Sequence, residues 1–141
     1  MADPFDLQRF VDAQEPVFAI ALSELRAGLK RSHWMWFVFP QLRELGRSAS
    51  AVHFGIGSLE EAAAYLEHEV LGPRLRTCAR ALTALEGNSA QHVMGTVDAM
   101  KLRSSMTLFA SATDDDRDFV AVIDKYFGGE PDQATLELLR P

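Results

Sequence analysis

The sequence predicts an all-α fold, a compact single-domain bundle of about six to eight short helices over residues 1–141. Three observations predict it. Nearly every segment between chain breakers carries apolar residues at helical spacing, and capping residues stand where those segments begin. No stretch alternates apolar and polar residues over a strand's length with β-branched enrichment.

Asp3-Pro4 signals the first helix start, with Phe5, Arg9, Phe10 and Ala13 following on related faces, and Pro16 ends or restarts it. Phe18, Leu22, Leu25 and Leu29 form one apolar stripe that Gly28 can close. Residues 34–39 are all apolar, and periodicity cannot assign them. Ser58-Leu59-Glu60-Glu61 reads as a capping box, with the serine accepting from the fourth residue's amide while Glu61 reaches back. Its helix should run to about residue 70. Gly72-Pro73 restarts a helix carrying Leu75, Cys78, Ala79 and Leu82 that stops at Gly87. Ser89 caps a short helix, and Asp98 one through about residue 110, with Leu102, Met106 and Phe109 on one face. After Asp114, Asp115 and Asp116, a helix with Phe119, Val122, Ile123 and Tyr126 runs into Gly128-Gly129. Asp132 caps the last one.

Composition bounds the function. The chain has 141 residues, 48% hydrophobic and 24% charged, with 14 cations against 20 acids. A chain of this length buries roughly two-thirds of its unfolded surface and needs no disulfide or metal staple. The single Cys78 and a first segment bearing Asp3, Asp6 and Asp12 without an apolar run point to the cytoplasm and against a signal peptide. The run at 34–39 is far shorter than the ~20 residues that span a bilayer. Net acidity argues against generic nucleic-acid binding.

The charge is segregated. Residues 25–43 hold Arg26, Lys30, Arg31 and Arg43 and no acid, so the other ten cations face all 20 acids. Residues 71–85 and 99–113 are also acid-free. Such blocks can focus positive potential on one surface, whereas solvated faces or internal ion pairs are the plainer reading. In the first block Lys30, Arg31, Ser32 and His33 stand directly before Trp34, Met35 and Trp36, with Gln41 just beyond. Cations and hydroxyls for oxyanions beside an indole for stacking suit a phosphorylated ligand with a planar ring. Equally, both indoles can be core anchors whose cationic neighbours snorkel to solvent. In the third block Lys101, Ser104 and Ser105 share a helical face with Arg103 nearby, which can cradle an anion or simply let helices approach closely.

Other chemistries lack their residues. The four histidines are scattered, and no metal site is expected. Cys78 falls on an apolar helix face, which makes it core rather than nucleophile. No nucleophile elbow, dinucleotide loop or phosphate loop is present, and no cofactor is implied. If the protein is an enzyme, His33 is the first candidate for acid/base work; the sequence decides neither for nor against catalysis.

The segments Arg9-Phe10…Ala13-Gln14, Gly28 through Phe37 with Phe39-Pro40-Gln41, Leu71-Gly72-Pro73-Arg74-Leu75, and Lys101 through Phe109 resemble an uncharacterised bacterial family, domain of unknown function 1810. The resemblance covers essentially the whole chain and implies a mainly helical domain with no established activity. Members sometimes carry the label calpastatin-like, which the composition contradicts, since nothing here is repetitive or disordered. The leading expectation is therefore a cytoplasmic protein that binds, and in one version processes, a small anionic, phosphorylated or nucleotide-like molecule. Its site would comprise Lys30, Arg31, Ser32, Trp34, Trp36, Gln41, Lys101, Arg103, Ser104 and Ser105. The alternative is a protein-interaction module that presents the aromatic segment 34–41 to a protein partner.

Overall fold

A computed structural model describes residues 3–87 and 89–140. Among the described residues are ten α-helices, one 3-10 turn and no strand. The helices are α1 (Gln8–Gln14), α2 (Phe18–Ala27), α3 (Met35–Val38), α4 (Ala49–His53), α5 (Leu59–Glu67), α6 (Leu71–Ala84), α7 (Ala90–Met94), α8 (Thr96–Ser111), α9 (Arg117–Phe127) and α10 (Gln133–Leu138).

Local chemistry explains most boundaries. The hydroxyls of Ser58 and Ser89 and the carboxylate of Asp132 each accept from the backbone amide three residues on, as expected of N-caps. Gly28 and Gly128 end α2 and α9 in the left-handed conformation, which costs glycine little. Four details differ from the sequence expectations. Asp3 accepts from the amides of Leu7 and Gln8 at 2.8 and 3.0 Å, but Asp6, at φ 52°, interrupts the chain, so the helix begins at Gln8. Glu61 does not reach back to Ser58; it accepts from the Gly57 amide at 3.0 Å and pairs with Arg9. That helix stops at Glu67 because His68 turns extended, its Nδ1 accepting from the amides of Val70 and Leu71 where α6 begins. Finally, α8 begins at Thr96 rather than beyond Asp98, leaving that acid in its first turn. The 3-10 turn Arg43–Leu45, α4 and an isolated parallel bridge between Leu42 and Ile56 are additional.

The longest helix, α8, lies at the centre, with α5, α7, α9 and α10 packed against it. Its surface from Ser104 to Phe109 is buried all round, so Ser105 is a small contact in the interior, Ser104 reaches only the edge of a cleft, and the pair form no exposed polar stripe. The buried apolar side chains other than Ala51 form one cluster. An aromatic chain threads it: Phe10 meets Tyr65 edge-on at 5.1 Å, Tyr65 meets Phe109 at 5.1 Å, and Phe109 meets Phe119 at 6.1 Å. These rings tie α1, α5, α8 and α9 together, each contributing about 0.5–1.5 kcal/mol per pair beyond area burial.

Candidate functional site

Beyond Gly28 the chain folds back along α2, and one carboxylate holds it there. Glu24 accepts from the amides of Arg31 and Ser32 at 2.9 Å each, from the Ser32 hydroxyl at 2.6 Å and from the Trp34 indole Nε1 at 2.9 Å. Burial acts to raise its pKa; the hydrogen bonds from Ser32, Arg31 and Trp34 outweigh it and bring the group down to about 2. Lys30 extends the same strap toward α8. Its amide donates to the Val93 carbonyl at 2.7 Å, and its ammonium reaches the Ser32 carbonyl at 2.6 Å and Asp98 at 2.9 Å. That ammonium also lies 4.9 Å from the Trp34 ring centroid.

Asp98 joins the two acid-free blocks. Its other oxygen lies 3.7 Å from the Lys101 ammonium, which stands 5.6 Å over the Trp36 ring. Segments 30–36 and 101–105 thus converge in space, a juxtaposition that the sequence alone does not decide.

The residues named from sequence divide into builders and lining. Lys30, with 8% of its side chain exposed, is committed to Asp98; Ser32 is committed to Glu24; Trp34, at 0% exposure, is a core anchor. Arg103 binds the carbonyl and carboxylate of Glu130. Ser105 is buried, its hydroxyl without a partner among the described residues, as is the indole N–H of half-buried Trp36. Arg31 and His33 are exposed on the strap, and His33 makes no side-chain hydrogen bond among the described residues. Gln41, Lys101 and Ser104 do line a common cleft, of about 370 Å³, between the 41–47 segment and α8. Leu45 and Met100 supply its apolar walls. Ser104 donates within 3.2 Å of both the Met100 carbonyl and Asp132.

Arg47 also lines this cleft and was missed in the sequence. It is exposed and forms no ion pair among the described residues. The acid-free window ends at Glu44, which hid it; the signal available was a cation set between the turn residues Gly46 and Ser48.

Other polar groups are structural. Gln14, almost fully buried, donates to the Phe37 carbonyl at 2.6 Å and to the Tyr65 hydroxyl at 3.1 Å, clamping α1 to α3 and α5. Burial raises the pKa of the Tyr65 hydroxyl and pushes the Cys78 thiol up to about 12. A larger depression of about 600 Å³ is lined by Glu67, Asp114 and Asp115 and by Arg76, which is already paired with Asp118, so its carboxylates oppose an anion. Among the described residues no three His, Cys, Asp or Glu side chains are grouped to hold a metal ion, and no helix is long and apolar enough to cross a membrane.

Fold and cleft together define a small all-helical protein whose most distinctive sequence blocks meet behind one cation-lined depression. The chain belongs to the DUF1810 family of proteins of unknown function, whose model matches residues 4–139. It is similar over 97% of its length to the crystal structure of the conserved hypothetical protein Rv1873 from Mycobacterium tuberculosis. That match has 58% sequence identity, a TM-score of 0.96 and covers 98% of the Rv1873 chain. No curated protein matches the chain.

Proposed function

We propose that this protein binds a small phosphorylated or nucleotide-like molecule in the cleft between residues 41–47 and α8. The observation that carries the reading is the presence of Arg47 and Lys101 on one depression of about 370 Å³, within the size range of small-molecule sites. The anionic group lies between the two cations, the Gln41 amide donates to it, Ser104 lines the wall, and Leu45 and Met100 contact the ring. Lys30, Ser32 and Trp34 act from behind: they fix the strap against α8, where Lys30 pairs with Asp98. Asp98 is shared between Lys30 at 2.9 Å and Lys101 at 3.7 Å, so one carboxylate faces two ammoniums and the cluster keeps a net positive charge. A reducing cytoplasm suits a chain whose one cysteine stays an unpaired thiol.

A thermal-shift screen against nucleotides, sugar phosphates and ADP-ribose tests this. A ligand present at a hundred times its Kd should stabilise the fold by about 2.7 kcal/mol, and the shift should vanish in Arg47→Met and Lys101→Met. No shift with any of these ligands, or one that survives both replacements, defeats the reading.

A further inference from the structure

The cleft that holds Arg47 and Lys101 is also lined by an acid. Asp132, just before α10, contributes to its wall together with Ala134. A carboxylate beside two cations is out of place in a pocket for phosphate alone, because at short range it repels the ligand. It suits a ligand that offers donors as well as an anion.

Asp132 is held firmly, yet only one of its oxygens is used. Its amide donates to the hydroxyl of Thr107 at 2.8 Å, and Thr107 is almost fully buried. Oδ2 accepts from the Thr135 amide at 3.0 Å and the Thr135 hydroxyl at 2.6 Å, and lies 3.2 Å from the Ser104 hydroxyl. Oδ1 has no hydrogen bond among the described residues, and Asp132 forms no ion pair there. A carboxylate oxygen offers two acceptor sites, so two donors can share Oδ1.

Spacing and charge choose between donors. Ser104, against which Asp132 rests, follows Lys101 by three residues on α8, so acid and cation stand about one turn, about 5 Å, apart along the helix. The ring of a sugar bridges such a gap, with phosphate at one end and hydroxyls at the other. An ammonium group would meet the local excess of positive charge from Lys30, Lys101 and Arg47, whereas hydroxyls meet no such repulsion.

We infer that Asp132 makes the cleft selective for phosphorylated sugars that carry a vicinal diol, with Oδ1 accepting from both hydroxyls while Arg47 and Lys101 hold the phosphate. This selectivity rests on the reading of the same cleft as an anion site.

Calorimetry on the intact protein with ribose 5-phosphate and 2-deoxyribose 5-phosphate tests it, since the two compounds differ only in one hydroxyl of the diol. The ribose compound should bind at least about tenfold tighter, because the deoxy compound forfeits a hydrogen bond to a charged group. Asp132→Asn keeps the helix cap, for which asparagine serves as well as aspartate. That variant should weaken the ribose compound and leave the deoxy compound equal or tighter, as a negative charge near the phosphate is gone. A merely structural loss would weaken both. Equal affinities for the two sugars in the parent protein overturn the inference and leave the anion site standing. So does a ribose preference that survives Asp132→Asn, or tighter binding of ethanolamine phosphate, which assigns Oδ1 to an ammonium. If neither sugar phosphate binds, the inference falls; the anion site falls with it only when no other phosphorylated compound gives a shift that Arg47→Met and Lys101→Met abolish.

Discussion

Glu24→Ala is expected to lower the unfolding free energy by about 3 kcal/mol, a fall in melting midpoint of roughly 10 °C for a chain of this size. The variant removes the acceptor of four donors, the Arg31 and Ser32 amides, the Ser32 hydroxyl and the Trp34 indole. Of these, Trp34 is fully buried and its N–H has no water to turn to. Glutamine at this position should do little better, since its amide turns one donor toward the cluster. The loss has a pH signature. The carboxyl is depressed from 4.5 to about 2 in the fold, so its stabilisation is present above the ordinary carboxylate range and drains away as pH falls toward 2. Denaturant titrations of both proteins should show a constant stability gap from neutral pH to about 5 that narrows at lower pH. A gap that keeps its size at acid pH would refute the role given to the charge.

The second large effect is at Arg9, where even lysine should cost about 3 kcal/mol and alanine more. All five N–H donors of this guanidinium are engaged: with the carbonyls of Phe5, Asp6, His53 and Gly55 and with the Glu61 carboxylate at 2.8 Å. The Arg9 and Glu61 side chains are only 9% and 5% exposed, so removing either strands the other. An ammonium cannot span that fan of acceptors. The paired replacement Arg9→Met with Glu61→Leu should recover part of the loss, because it removes both buried charges together. Equal urea midpoints for Arg9→Lys and the parent protein would show that the fan carries no stability.

What was legible in the sequence was local. Ser58, Ser89 and Asp132 announce their helices because a cap's partner lies three residues away, and Gly28 and Gly128 announce exits for a similar reason. The 41–56 region was not legible, since a 3-10 turn and a five-residue helix are too short to establish a period. The acid-free windows drew attention to residues 30–36 and 101–105, whose cations the fold pairs largely within the chain. They could not show that Glu24 and Asp98, which lie outside those windows, supply the missing negative charge. Composition along a chain records which charges are near in sequence; Lys30 and Asp98 are 68 positions apart and meet at 2.9 Å.

The burial of Cys78 on α6 has a practical consequence. The chain has one sulfhydryl, enclosed by the core and held protonated far above neutral pH. An alkylating reagent must therefore wait for the bundle to open, and the labelling rate counts openings rather than surface encounters. The protein carries its own stopwatch, readable by mass spectrometry in a crude lysate. A metabolite that seals the fold should slow that stopwatch before its chemical identity is known.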